Sequence, residues 1–401
     1  MVFNERRRVR LFLSLILLLL PLAIAGPAPS RVVAIGDVHG AYTEFVTILQ
    51  KTGLIDSRLH WSGGSATFVQ TGDIIDRGTG TRACLDLVMA LERQASKKSG
   101  HVIPLLGNHE AMNAMGDVRY VTPEIYKTFS TARSEKLRGQ ALQDYLQFLA
   151  THAGHSHSLA MTNDDAGRAK WMAAHPPGYF EYRDEFGPRG RYGRWIRTHH
   201  ALVEVGEGVF VHGGLNPTLK FSGIGDLDNQ VHSELAEFDS LWQSLAEKKV
   251  IWRYMTLSEA VKQANEELSW IQSQGKADPD TVRQLQKLSG YKNWMVASSD
   301  GPLWYRGLAQ DPEEKLMSSF LPMLSRLKAR FVVDGHTVVS KSDILQRFAN
   351  HVFLIDTGML KEEYSGHASA LEIVGGKFTA FYSDSSAKAL AAPGIGSRET
   401  P

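Results

Sequence analysis

The chain has 401 residues, 43% of them hydrophobic and 22% charged, with a formal net charge of +1. Those proportions belong to a globular protein with a sizeable core, and a charge so near zero gives no reason to expect nucleic acid or another polyanion as partner. Cys84 is the only cysteine, so no intrachain disulfide staples the fold. It lies in the apolar run Ala83–Val88 and reads as a core thiol, not a nucleophile.

Residues 1–25 differ in kind from the rest. Arg6, Arg7, Arg8 and Arg10 precede the apolar run from Leu11 to Leu20, and Ala23-Ile24-Ala25 is a small-x-small cleavage site. The order is that of a secretory signal peptide, which predicts a secreted or periplasmic protein. The run is short for a spanning helix, so membrane contact is expected only if the segment stays uncleaved.

The mature sequence opens on a strand, Arg31 to Ile35, followed by a helix over Tyr42–Lys51 with Phe45, Ile48 and Leu49 on one face. A second strand, Ala66 to Gln70, leads to a helix carrying Cys84, Leu87, Val88 and Leu91 at helical spacing. A third strand is expected over His101–Leu106. Strand and helix in alternation, with polar residues at each strand's end, is the α/β pattern that gathers ligands at strand carboxyl ends.

From about 111 to 197 the alternation stops, which predicts an inserted helical cap over those ends. Ala201–Val205 and Gly208–Val211 form a hairpin through Gly206-Glu207, and a second helical insertion covers about 224–299. Strands resume at Arg330–Asp334 and His351–Ile355, and a Gly375-Gly376 turn joins Ala370–Val374 to Lys377–Tyr382. The Ala-, Ser- and Gly-containing tail 385–401 is expected to be disordered.

Six short segments at these junctions carry the chemistry: Gly36-Asp37-Val38-His39-Gly40, Gly72-Asp73-Ile74-Ile75-Asp76-Arg77-Gly78, Gly107-Asn108-His109-Glu110, His212-Gly213-Gly214, Asp334-Gly335-His336-Thr337 and Gly301-Pro302-Leu303-Trp304-Tyr305-Arg306. The first five supply Asp, His, Asp, Asn, His and His, and the sixth an arginine. Divalent ions accept carboxylate, amide oxygen and imidazole together. One shared carboxylate would set two ions about 3.5–4 Å apart, the arrangement for in-line attack on phosphorus. A single Gly-Asp is most simply a turn; five such turns beside ligand-type residues need another explanation.

This ordered set of blocks resembles the calcineurin-like metallophosphoesterases. The Asp-Arg-Gly ending of the second block, with Glu110 in the third, resembles the phosphoprotein phosphatase branch. The segment through Trp304 and Arg306 and the large insertions are similar to the Shewanella-like protein phosphatases. The resemblance spans Arg31 to about Tyr382 and implies an α/β phosphoesterase domain over 26–384, a β-sandwich flanked by helices and capped by the two insertions.

Matched by position, it implies that Asp37, His39 and Asp73 hold one divalent ion, and that Asp73 bridges to a second held by Asn108, His212 and His336. Many members place a further histidine where this chain has Val338, so the first ion would complete its shell with water. His109, adjacent to a ligand and facing another way, is left as general acid, with Asp76 as the carboxylate that pairs with it. Arg77 and Arg306 would clamp the nonbridging phosphate oxygens. The ions could be Mn, Fe or Zn.

The expected activity is metal-dependent hydrolysis of a phosphomonoester, on a phosphorylated protein or a small substrate, with phosphotyrosine favoured by the Shewanella-like resemblance. One alternative is a nucleotide or diadenosine polyphosphate hydrolase, in which family Gln tends to replace His39. Another is a catalytically silent metal-binding protein. His152, His155 and His157 read as a solvated histidine-rich loop, His199 and His200 as residues at a strand mouth. Trp294, Trp304 and Tyr305 read as packing or as a stacking surface for a substrate ring.

Mass spectrometry of the protein from its native source is expected to read Gly26 as the first residue. A cytosolic protein retaining Arg6 to Arg10 would contradict the export reading.

Overall fold

The computed structural model describes residues 30–152, 161–274, 278–339 and 343–394. The proposed signal segment, His155 and His157 lie outside the described residues. Among those described, no helix is long and apolar enough to cross a membrane.

The first part of the chain alternates as its periodicity predicts. β1 (Arg31–Ile35), α1 (Tyr42–Lys51), β2 (Thr67–Gln70), α2 (Thr81–Ser96), β3 (His101–Pro104) and α3 (Asn108–Ala114) follow in order. α1 buries Phe45, Ile48 and Leu49, and α2 buries Cys84, Leu87, Val88 and Leu91. β3 ends two residues before the expected Leu106. The Leu105 amide still donates to Gln70 on β2, but the Leu106 amide turns to the His200 carbonyl.

The first insertion contains α4 (Pro123–Phe129), α5 (Ser134–His152), α6 (Asp165–Ala174), α7 (Tyr179–Phe186) and α8 (Arg191–Ile196). α4 starts as sequence rules prescribe: the Thr122 hydroxyl accepts from the Ile125 amide and Pro123 fills the first turn. The hairpin β4 (Leu202–Val205) and β5 (Gly208–Val211) precedes the second insertion, α9 (Ile224–Glu247), α10 (Leu257–Gln274) and α11 (Pro279–Ser289). Then come α12 (Gly307–Gln310), α13 (Glu313–Leu327), β6 (Phe331–Asp334), β7 (Leu345–Arg347), β8 (Val352–Leu354), α14 (Lys361–Tyr364), β9 (Ser369–Val374), β10 (Lys377–Tyr382) and β11 (Lys388–Leu390).

The strands form two sheets, ordered β11-β10-β9-β1-β2-β3 and β4-β5-β6-β8-β7. In the first, β1, β2 and β3 are parallel; in the second, β5, β6 and β8 are parallel. The sheets face each other across a core that includes Val69, Phe210, Phe331, Phe353, Ile373 and Phe378, and a larger apolar cluster packs the helices outside.

In the described part of the tail, up to residue 394, β11 departs from the expected disorder. Residues 388–390 pair antiparallel with β10, and Lys388 ion-pairs with Asp343 at 2.8 Å. Two of its three side chains are exposed, so the pairing rests on backbone bonds to an open sheet edge, which no apolar alternation announces.

Phe353 is fully buried and stacks on Phe378 at 4.8 Å between ring centroids. Phe353→Ala is expected to cost about 3–5 kcal/mol in denaturant unfolding, whereas Leu321→Ala, at a site 42% exposed, should stay within about 0.5 kcal/mol.

Candidate active site

The carboxyl ends of the parallel strands of both sheets meet at one seam. After β1 the chain presents Asp37 and His39, after β2 Asp73, Asp76 and Arg77, and at the start of α3 Asn108 and His109. The second sheet contributes His212 after β5 and His336 after β6. Hydrogen bonds lace the seam across the sheets. His212 Nδ1 lies 2.9 Å from the Thr71 carbonyl, and the His336 amide donates to Asp37 Oδ1 at 2.9 Å.

The turns are tight enough to require unusual backbone. His39, Asp73, Asp76, Arg77 and His336 all have φ between 47° and 71°, a region that side chains rarely occupy and that concentrates at functional sites. Gly72 has φ 99°, and a Cβ there would sit 2.6 Å from the Gly107 Cα and 2.9 Å from His212 Nδ1. A side chain at 72 would therefore part the two ligand loops.

All the expected ligands are buried and converge. His212 Nε2 is 2.8 Å from Asn108 Oδ1, 3.1 Å from His336 Nδ1 and 3.4 Å from Asp73 Oδ2. His39 Nε2 is 3.7 Å from Asp73 Oδ2 and 3.8 Å from Asp37 Oδ2. Donor atoms around an ion with bonds of about 2.1 Å stand roughly 3.0–3.5 Å from one another. His39, Asp73 and His109 form one buried group of close donors; Asp73, His212 and His336 form a second, and Asp73 belongs to both.

The electrostatics fit cations. Burial pushes up the pKa of Asp37, and Asp356 and Asp73 push it further. Asp356 rises to about 6 and Glu110 to about 7, each through burial first, with Asp73 adding repulsion. Asp73 alone goes the other way: burial would raise it, yet His212 and His109 hold it well below the usual carboxylate range. Burial drives His39 down to about 3 and His336 well down, leaving both imidazoles neutral with lone pairs free. His336 Nε2 is buried with no hydrogen-bond partner. Carboxylates that repel one another beside neutral imidazoles are a donor set suited to divalent ions.

His109 differs from its neighbours. Burial favours the neutral ring, but Asp73 and Asp76 outweigh it, and the pKa is raised. Its Nδ1 is 2.7 Å from Asp76 Oδ2, while Nε2 faces the seam 3.8 Å from Asp73 Oδ2. Asp76 is fixed in turn by the Asn113 amide at 2.9 and 3.1 Å, and Tyr182 donates to Asn113 Oδ1 at 2.8 Å. The inserted cap thus reaches the site through Tyr182, and also through Tyr120, whose ring packs 4.9 Å from that of His109.

Arg77 and Arg306 both lie at the rim. Arg77 sits between the rings of Tyr120 and Tyr364, with its guanidinium carbon 4.7 and 5.4 Å from their centroids. Arg306 donates to the His336 carbonyl at 2.8 Å and to the Thr337 hydroxyl at 3.0 Å. Trp304 packs 6.0 Å from His336 and donates to the Val296 carbonyl. His199 is buried away from the ligands, His200 pairs with Asp228 at 2.7 Å, and His152 lies at the end of α5, 3.8 Å from Glu267. None of the three is in either ligand group.

Sequence reasoning marked Glu110 only as a family signature, and Asp356, Asn113 and Tyr182 not at all. Glu110 accepts from the amides of Asp73, Ile74 and Gly107 at 2.8–3.0 Å and so ties the second block to the third. Asp356 follows an apolar strand just as Asp37 and Asp73 do, with Gly358 two residues on, and that repeated pattern was the available signal. Asn113 and Tyr182 offered none.

Two facing sheets with a buried Asp, His and Asn centre at their seam define a metallophosphoesterase. The calcineurin-like phosphoesterase family matches residues 30–340, and the chain belongs to it. Members of that family use divalent metals. An uncharacterized protein of Schizosaccharomyces pombe is 28% identical over 348 residues, covering 86% of this chain and 77% of its own length. Shewanella-like protein phosphatase 1 of Plasmodium berghei is 23% identical over 332 residues, covering 82% and 67%. The crystal structure of the cold-active protein-tyrosine phosphatase of a psychrophilic Shewanella species superposes with a TM-score of 0.56 at 21% identity, over 90% of this chain and 81% of that one. At that identity the likeness speaks for the fold.

Asp73→Asn is expected to abolish nearly all activity and to lower bound metal towards about one equivalent or less, since a neutral amide bridges two dications poorly. Full metal content with normal turnover in the purified variant would exclude the bridging role.

Proposed function

We propose that the chain is a protein phosphatase that hydrolyses phosphomonoesters, with a preference for phosphotyrosine, at a centre of two divalent ions. The observation that carries the reading is a buried cluster of donors centred on Asp73, in which His109 is held by Asp76 at 2.7 Å with its pKa raised. Asp37, His39 and Asp73 would hold one ion, and Asp73, Asn108, His212 and His336 the other, with manganese, iron and zinc all suited to the donors. Ions held there supply a water nucleophile at neutral pH and neutralise charge on the phosphoryl group.

The chain's own residues do the rest. Arg77 and Arg306 orient the phosphate from the rim. Asp76 holds the His109 ring by Nδ1 and favours its protonated form, so Nε2 carries a proton towards the leaving group. His39 and His336 stay neutral, so environment separates ligand from acid within one cluster. Tyr120, Tyr364 and Trp304 stand around the opening, where aromatic faces suit an aryl ester. Export to the periplasm or beyond, from the pattern of residues 1–25, is part of the same proposal.

Turnover of phosphotyrosine peptide, phosphoserine peptide, nucleotides and dinucleoside polyphosphates, with and without added Mn²⁺, tests the reading. The phosphotyrosine peptide is expected to lead, and a lead by the dinucleoside polyphosphates would overturn it. His109→Gln should keep its metal but lose about 10²–10⁴-fold in turnover of an alkyl phosphate. It should lose less on p-nitrophenyl phosphate, whose leaving group needs little protonation. Equal losses on both, or loss of metal, would mean that His109 is a ligand or phosphate contact.

A further inference from the structure

α14 is a single helical turn that follows Asp356, and it carries Glu363 and Tyr364, whose ring lies 5.8 Å from that of His39. Glu363 Oε1 lies 2.6 Å from Arg77 Nη1, with the two side chains 48% and 22% exposed. Arg77 does not depend on this partner for its place. Its amide donates to the Tyr120 carbonyl at 3.1 Å, and its guanidinium is held between the Tyr120 and Tyr364 rings. Glu363, in contrast, is half-exposed on a short turn, and among the described residues this Arg77 contact is its one side-chain pairing. Its carboxylate occupies one of the guanidinium donors.

We propose that Glu363 sets the charge preference of the site by changing partners, a reading that rests on Arg77 being the phosphate clamp. In the free enzyme Glu363 satisfies Arg77. When the phosphate takes the guanidinium, the carboxylate is released beside a dianion and needs a cation. The neighbouring Lys361 is exposed, with no ion pair to Glu363, and the next side chain, Glu362, is acidic. A lysine or arginine of the substrate, close to the phosphorylated residue, supplies what the turn lacks. The preferred substrate is then a phosphopeptide with basic flanks, and acidic flanks are disfavoured by like charge.

Two phosphotyrosine peptides that differ only in carrying Lys or Glu beside the phosphorylated residue test this. The metal-loaded full-length enzyme is expected to favour the basic peptide in kcat/KM by roughly two- to five-fold, the weight of one partly exposed ion pair. The preference should fall at high salt. Glu363→Gln should remove the preference and also tighten inhibition by inorganic phosphate, because Arg77 no longer has an internal competitor. Glu363→Lys should reverse the preference.

The same basic-to-acidic ratio in wild type and Glu363→Gln overturns the inference, as does weaker phosphate inhibition in the variant, which would make Glu363 a support for Arg77 alone. A wild-type enzyme that hydrolyses neither peptide overturns the phosphatase reading beneath it.

Discussion

Buried negative charge at the seam between the sheets is the constraint on which the rest of the structure turns. Asp37, Asp73, Asp356 and Glu110 are all nearly inaccessible and lie close enough to raise or oppose one another's ionisation. Left alone, such a cluster would take up protons or open to water. Neutral imidazoles and an amide placed between the carboxylates make it a cage for cations instead. Ions held there would offset the cost of assembling like charges.

Much of the local structure serves that cage. Parallel strands deliver their carboxyl ends from both sheets, so neighbouring loops reach the seam without long connections. Gly72 and Gly107 pass back to back, and the buried His39, Asp73, Asp76 and His336 all sit at positive φ. Glu110 binds three backbone amides and fixes the second loop against the third. Binding energy from ions can sustain strain of this kind, and the stiff sandwich core behind the loops keeps it from relaxing. The insertions are less bound to this task, touching the site through Tyr120 and Tyr182 while most of their surface packs outside.

The fold was legible where local periodicity and local packing agree. The burial faces of α1 and α2, the β4–β5 and β9–β10 hairpins and the meeting of the six proposed ligands at one seam follow from runs of a few residues. What was not legible depends on distant pairing. β7 and β11 are three-residue edge strands recruited by backbone bonds to β8 and β10, and their side chains carry no two-residue alternation. α14 is one turn, too short for a helical period. Asn113 and Tyr182 matter because a helix and an insertion 69 residues apart meet behind Asp76. Asp356 was the one visible omission, since it repeats the strand-then-Asp pattern of the ligand blocks. His109 and Asn108, adjacent in sequence, differ in their partners: Asp76 for one, His212 for the other.

Anomalous X-ray diffraction from crystals of the metal-loaded protein addresses the central claim most directly. Two peaks are expected in the seam about 3.5–4 Å apart, with an Asp73 oxygen between them, His39 on one and His212 with His336 on the other. A single peak, or two that share no contact with Asp73, would contradict that claim.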